Sequence, residues 1–332
     1  MVISVEPFIV NGYIFNDSSK ICLPKSFEKP CGIMIGELAA LGAAICWTVS
    51  AVLYKEALLK VKPVSANIIR LTCTSAILLL FLAVVSKLGV LSSLPSYAFT
   101  LACVSGIIGL GFGDTLYMAS LKLIGVARAV PITCTYPLFN LLWTVFLIGE
   151  QVTWSIILGA IIIVLGIWLL SKGRENTTEK QKKVLVEGVI FALATAIIWS
   201  ISIAMIDVAV TLPETNTLDH ALAVNTIRIA SVALSLLILS PIIDKELGFL
   251  KVQKKTATAL IGGGIVALGL GWFLLSYSFI NTSEARAVPI SSTTPLFSTL
   301  IGIIFLHEKV TSKNVIGSVL IVAGIFLIFM FK

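Results

Sequence analysis

The chain has 332 residues, 58% of them apolar and 12% charged, with a net charge of +7 and a mean hydropathy of +1.04. Soluble domains run near 45–50% apolar and about 25% charged. A globule of this size cannot hide such a composition, so lipid must cover the excess. The basic charges lie in short loops between apolar runs, the pattern of cytoplasmic loops, and this argues against nucleic acid as a partner.

Residues 1–33 read as an N-terminal extension. Pro7, Pro24, Pro30, Lys20, Lys25 and Lys29 leave no long apolar run, and no basic segment leads into an apolar core as in a signal peptide. The first apolar run opens at Met34, and a native start there would leave residues 1–33 outside the native protein. Apolar stretches of about twenty residues can cross a bilayer core. They fall at roughly 34–54, 64–86, 97–119, 124–148 and 153–171. A basic linker, 172–185, separates them from five more at roughly 186–209, 220–243, 257–279, 284–306 and 313–331. Long continuous apolarity predicts helices, because a membrane barrel would alternate over short segments. The expected fold is an all-α, multi-pass integral membrane protein of ten transmembrane helices, with repeats over 34–171 and 186–331.

The two sets of five are copies. Ala127-Arg128-Ala129-Val130-Pro131-Ile132 is identical to Ala285-Arg286-Ala287-Val288-Pro289-Ile290. The same offset pairs Pro137-Leu138-Phe139 with Pro295-Leu296-Phe297, Glu150 with Glu308, Gly159 with Gly317, and Gly166 with Gly324. It also pairs Asn67 with Asn225 and Arg70 with Arg228, and Trp47 matches Trp199 after a short insertion. Because five is odd, the second copy must enter the membrane from the opposite side. Inverted repeats of this kind characterise secondary transporters, whose solute sites lie near the midplane between the repeats. The third and eighth spans carry small residues four apart: Ser105, Gly109, Gly113 and Gly263, Ala267, Gly271. That spacing permits close helix approach, either for static packing or for sliding.

These features together resemble the drug/metabolite transporter superfamily, and within it the EamA family, over about residues 34–331. The resemblance rests on the twofold five-helix pattern, Arg70 and Arg228, and the Ala-Val-Pro-Ile entries. It rests also on Thr135–Phe139 and Thr293–Phe297, Glu150 and Glu308, and the glycine-containing last span of each half. It implies transport of a small organic solute without ATP hydrolysis, by export or exchange, and no GxxxxGK[ST] motif contradicts it. His307 stands where the first copy has Gly149, a departure confined to that turn.

Ionisable groups inside spans mark pathways or pairs. Arg70 and Arg228 either snorkel to the interface or meet an anionic group. Arg128 and Arg286 read as interface anchors, Glu150 and Glu308 as structural caps, and Lys55 and Asp207 as water-exposed. Asp114 is the leading candidate for coupling to a proton or cation, since a carboxylate there needs pairing, water or neutralisation. Arg70, Lys122 or Arg128 could supply its counter-charge; access to water at the helix end and contact with an amine are the alternatives. Its counterpart in the second copy is Trp272. Pro131, Pro137, Pro289 and Pro295 free backbone carbonyls that Thr133, Thr135, Thr293 or Thr294 can satisfy. Each site is either a plain kink for packing or a broken helix that exposes carbonyls to solute. Tyr136, Asn140, Ser291, Thr294, Trp47, Trp199 and Tyr117 complete the candidate path, expected between the third, fourth, eighth and ninth spans.

An enzyme is not expected, since no HExxH, GxSxG or paired intramembrane aspartate is present. Six cysteines without a CxxC pair and two distant histidines, His220 and His307, point to no metal or cofactor. The expected partners are membrane lipid, a small-molecule substrate, a coupling proton or cation, and a second copy as a homodimer, in the cell membrane. Lys and Arg concentrate in the loops after odd-numbered spans. The positive-inside rule then places both termini outside, whereas the resemblance implies both inside.

Overall fold

The computed structural model describes residues 8–10, 13–15, 35–148, 153–171, 178–282, 284–304 and 311–330. Two short antiparallel strands, β1 (Phe8–Val10) and β2 (Tyr13–Phe15), pair within the N-terminal extension. They are the one departure from an all-helical chain among the described residues.

Eight helices are long and apolar enough to cross a membrane. They are α1 (Ile35–Leu58), α2 (Pro63–Val84), α3 (Ser96–Ile124), α6 (Trp154–Ser171), α7 (Glu179–Thr211), α8 (Leu218–Ile243), α9 (Lys254–Asn281) and α12 (Ser312–Met330). Between α3 and α6 lie α4 (Val126–Thr133) and α5 (Tyr136–Ile148). Between α9 and α12 lie α10 (Glu284–Ser291) and α11 (Thr294–Ile304).

The stretches 124–148 and 284–306 are each two helical pieces, so at these prolines the helix breaks and is not merely kinked. The breaks fall at Cys134–Thr135 and Ser292–Thr293, just ahead of Pro137 and Pro295. Proline cannot donate to the preceding turn and crowds it, so continuous α-helix fails there. One of the threonines compensates for a proline as expected, and the others brace the turns beside the break. Thr133 and Thr135 donate to the carbonyls of Val130 (2.9 Å) and Ile132 (2.7 Å). Thr294 donates at 2.7 Å to the carbonyl of Ser291, the very group that Pro295 leaves free.

The basic linker is partly helical. Residues 179–185 belong to α7, whose start is set by a reciprocal capping box between Thr178 and Gln181. Residues 172–177 lie outside the described set, as do Glu150, Glu308, Gly149 and His307.

Both α3 and α9 contain a wide π-helical stretch, Gly106–Gly113 and Ile265–Gly271. Such stretches leave carbonyls poorly served by the helix itself. Asn67 Nδ2 caps those of Leu110 (2.8 Å) and Gly111 (3.3 Å). Asn225 Nδ2 does the same for Leu268 (2.9 Å) and Gly269 (3.3 Å).

The small residues nearby admit large neighbours. A Cβ on Gly113 would sit 2.9 Å from the Trp199 ring, one on Gly263 2.6 Å from Tyr54, and one on Gly271 2.9 Å from Trp47. The stripes on α3 and α9 are thus the floors against which aromatic side chains of α1 and α7 pack.

One of the extensive contacts in the bundle joins α6 and α12. Gly159 faces Gly324 there, and Gly166 faces Gly317. Away from this seam α6 exposes Leu158, Ile161, Val164, Leu165 and Trp168, a surface suited to lipid.

Candidate functional site: a cavity walled by three tryptophans

A cavity of about 540 Å³, open space at its mouth included, lies among α1, α2, α3, α4, α7 and α9, with Tyr136 of α5 and Thr294 of α11 at its edge. Its walls come from both halves of the chain. Trp47 and Trp272 pack with ring centroids 5.1 Å apart, Trp199 meets Trp272 edge-on at 6.5 Å, and Tyr117 lies 5.1 Å from Trp199. Tyr136 OH and Ser291 Oγ share a 3.0 Å hydrogen bond that links the two halves beside it.

The polar pole of the cavity is Asp114, which is 2% exposed. This carboxylate therefore does not reach water at the helix end. Arg70, also 2% exposed, forms an ion pair with it. Arg70 neither snorkels nor competes with Lys122, whose ammonium instead donates to the carbonyl of Val61 at 3.2 Å. The network extends outward. Trp199 Nε1 donates to Asp114 Oδ1 at 2.8 Å, and Arg70 Nε donates to Asn67 Oδ1 at 2.9 Å. Arg70 also lies 4.9 Å from the centre of the Tyr54 ring. A buried ion pair tolerates its desolvation only with such supporting bonds.

The second half repeats the scaffold without the acid. Arg228, 1% exposed, lies 4.1 Å over the ring of Trp272, the residue at Asp114's counterpart position. Its Nε and Nη2 donate to Ser105 Oγ and Ser202 Oγ, both at 3.0 Å. Trp47 Nε1, Arg228 Nη1 and Asn225 Oδ1 are buried with no hydrogen-bond partner among the described residues. Their counterparts Trp199, Arg70 and Asn67 are all joined in the Asp114 network.

Of the residues singled out from sequence, Trp47, Arg70, Asp114, Tyr117, Tyr136, Trp199 and Thr294 line the cavity. Ser291 reaches it through Tyr136, and Arg228 lies behind Trp272. Pro131, Pro137, Pro289 and Pro295 shape α4, α5, α10 and α11 without lining the cavity, and Asn140 is not in its wall. The sequence places the path between the third, fourth, eighth and ninth spans; α1, α2 and α7, named through Trp47, Arg70 and Trp199, supply much of the cavity wall. Tyr54 and Trp272 were missed as site residues. The signal for Trp272 was its repeat position opposite Asp114; Tyr54 carried none beyond aromaticity. Arg286 is exposed and lies 3.6 Å from Glu37, in keeping with an anchor at the end of the bundle. Lys55 donates to the carbonyl of Leu121 at 2.8 Å, capping the end of α3.

A family model described as the EamA-like transporter family matches the chain twice, over residues 34–172 and 186–330. An "Uncharacterized transporter" of Archaeoglobus fulgidus is 27% identical over 296 residues, covering 89% of this chain and 98% of that one. Proteins of Lactobacillus johnsonii and Staphylococcus aureus named "Putative ribose uptake protein RbsU" are 26% and 27% identical. These matches cover 68% and 79% of this chain, and 75% and 88% of those proteins. A crystal structure 21% identical superposes with a TM-score of 0.63 over 88% of this chain and 95% of that one, a likeness of fold.

Proposed function

The chain belongs to the EamA-like transporter family, and from that premise we propose that it is a secondary carrier of a small organic solute in the cell membrane. The observation that carries this reading is the cavity built jointly by the two halves, with a buried ion pair at one pole and aromatic rings around it. Solute sites of secondary carriers lie at such repeat interfaces. Two broken helices, α4–α5 and α10–α11, complete the count to ten spans as two inverted sets of five. The paired family matches and the mirrored Asn67 and Asn225 bonds support that topology.

Transport then proceeds by exposing the shared cavity alternately to either side, with no nucleotide consumed. The Tyr136–Ser291 bond and the glycine floors under Trp47 and Trp199 lie where the halves must move. Asp114 is the candidate for coupling, because a proton arriving on its carboxylate would release Arg70 and loosen the network. The direction of net flux follows the driving gradient; export or exchange is the family expectation, and the relatives named for ribose uptake favour a small polar metabolite as cargo.

Purified protein in sealed vesicles tests the reading. Counterflow of a labelled metabolite, found by screening, should occur without ATP and cease when Trp47 and Trp199 are both changed to alanine. Solute-independent leakage, or no flux for any class of small metabolite, would refute it.

A further inference from the structure

The two halves of the cavity differ by one charge. Around Asp114, one arginine, one tryptophan and one asparagine are bonded into a closed network. Around Trp272 stand the counterpart trio, Arg228, Trp47 and Asn225, and each keeps an unpartnered buried polar atom. Two of those atoms, Arg228 Nη1 and Trp47 Nε1, are donors; the corresponding arginine and tryptophan, Arg70 and Trp199, both address the carboxylate of Asp114.

The charge count points the same way. Among the described residues the buried charged side chains are Arg70, Asp114, Arg228 and Asp244. Asp244 is committed elsewhere: it accepts from Ser65 Oγ (2.8 Å) and the Phe249 amide (3.2 Å) just past the end of α8. It follows Arg228 by sixteen residues on that helix, about 24 Å at 1.5 Å per residue. Asp114 forms its ion pair with Arg70, so the buried trio Arg70, Asp114 and Arg228 carries one excess positive charge, and among the described residues Arg228 has no carboxylate bonded to it. A buried cation without a counter-charge is costly, and a ligand that brings one is favoured.

We infer that the cavity binds a small organic monoanion, whose carboxylate or similar oxyanion stands in for the acid that position 272 lacks, facing Arg228 and Trp47. The indole of Trp272 lies between the cavity and Arg228, so binding turns that ring aside, and Trp199 alone stacks on the ligand's apolar body. An uncharged sugar satisfies the donors and leaves the charge unbalanced. An amine adds to it. The inference rests on this cavity being the solute site.

The test uses whole purified protein and a matched set of probes, benzoate, benzamide and benzylamine, with D-ribose as a neutral polyol. Binding is read by quenching of tryptophan fluorescence and by thermal stabilisation at millimolar probe. Benzoate should bind, and the other three should bind about tenfold or more weakly. Trp272→Asp supplies the missing carboxylate and should abolish benzoate binding, whereas Trp272→Asn, equal in size and uncharged, should retain it. Equal or stronger binding of any uncharged or cationic probe overturns the inference. So does the absence of binding by all four, retention of benzoate by Trp272→Asp, or its loss from both variants, which would assign the effect to the ring. No gradient or flux enters the measurement. A protein that binds benzoate and moves no solute would refute transport and leave this inference standing.

Discussion

The seam between α6 and α12 offers a sharp test of the packing. A Cβ placed on Gly166 would lie 2.8 Å from the carbonyl oxygen of Gly317, and one on Gly317 2.9 Å from that of Gly166. Carbon and oxygen need roughly 3.4 Å, so a single methyl must part the helices by about half an ångström along their closest line. Overpacking of this kind costs about 1–3 kcal/mol. Replacing glycine by alanine within a helix recovers roughly 0.5–1 kcal/mol. The net expectation for Gly166→Ala is about 1–2 kcal/mol of lost stability, or a melting temperature lower by roughly 2–8 °C. Gly262→Ala is the control, because nothing lies within 4 Å of its would-be Cβ. That change should raise the melting temperature by about 2–4 °C through helix propensity alone. The double change Gly166→Ala with Gly317→Ala should cost less than the sum of the singles, since one separation accommodates both methyls. Unfolding in detergent, followed by tryptophan fluorescence, gives all four values. If Gly166→Ala stabilises as Gly262→Ala does, the close approach of α6 and α12 is refuted.

Asp114→Asn leaves Arg70 buried beside no carboxylate and should cost on the order of 3 kcal/mol of stability; adding Arg70→Gln should restore part of it, and equal melting of the single variant and wild type would break the ion-pair argument. The same Asp114→Asn protein, reconstituted, should lose transport driven by a pH gradient, and normal gradient-driven flux would remove Asp114 from coupling. Asn225→Leu strips two π-stretch carbonyls of their donor and should destabilise by about 1–3 kcal/mol, with Asn67→Leu worse because Arg70 and Thr115 also bond to Asn67; a milder effect at Asn67 would contradict the network. A reporter fused after Lys332 should be inactive in the cytoplasm if loop charge sets the orientation; cytoplasmic activity would favour the family expectation instead.

Much of this was legible in the chain. Apolar runs gave the spans because lipid leaves no other place for them, and the offset joining Arg70 to Arg228 and Asn67 to Asn225 anticipated mirrored bonding. Asp114 stood out because a carboxylate inside a span needs a reason. Its partner was not legible: Arg70, Lys122 and Arg128 were equal candidates until helix packing chose one. Part of the aromatic wall was hidden for a related reason. Tyr54 and Trp272 are aromatic residues in aromatic-tolerant spans, and only tertiary contact separates a wall from a core. At Pro137 and Pro295 the sequence leaves a kink and a break both open, since proline alone does not say whether a helix bends or stops.

The π stretches govern the angular phase of α3 and α9. Ser105 and Asp114 are nine residues apart, two and a half turns of α-helix at about 100° per residue, and so would point to opposite sides of a regular helix. Yet both are buried, Ser105 toward Arg228 and Ser202, Asp114 toward Arg70 and Trp199. A wider turn rotates less per residue, and the Gly106–Gly113 stretch retards the second half of the helix enough to bring both groups round to the interior. Gly263 and Trp272, also nine apart and both buried, are phased the same way by Ile265–Gly271. The stretch acts as a gear tooth: tightening 106–113 to regular α-helix with every residue kept would remove no chemical group, yet would swing Asp114 by about 100°, away from Arg70.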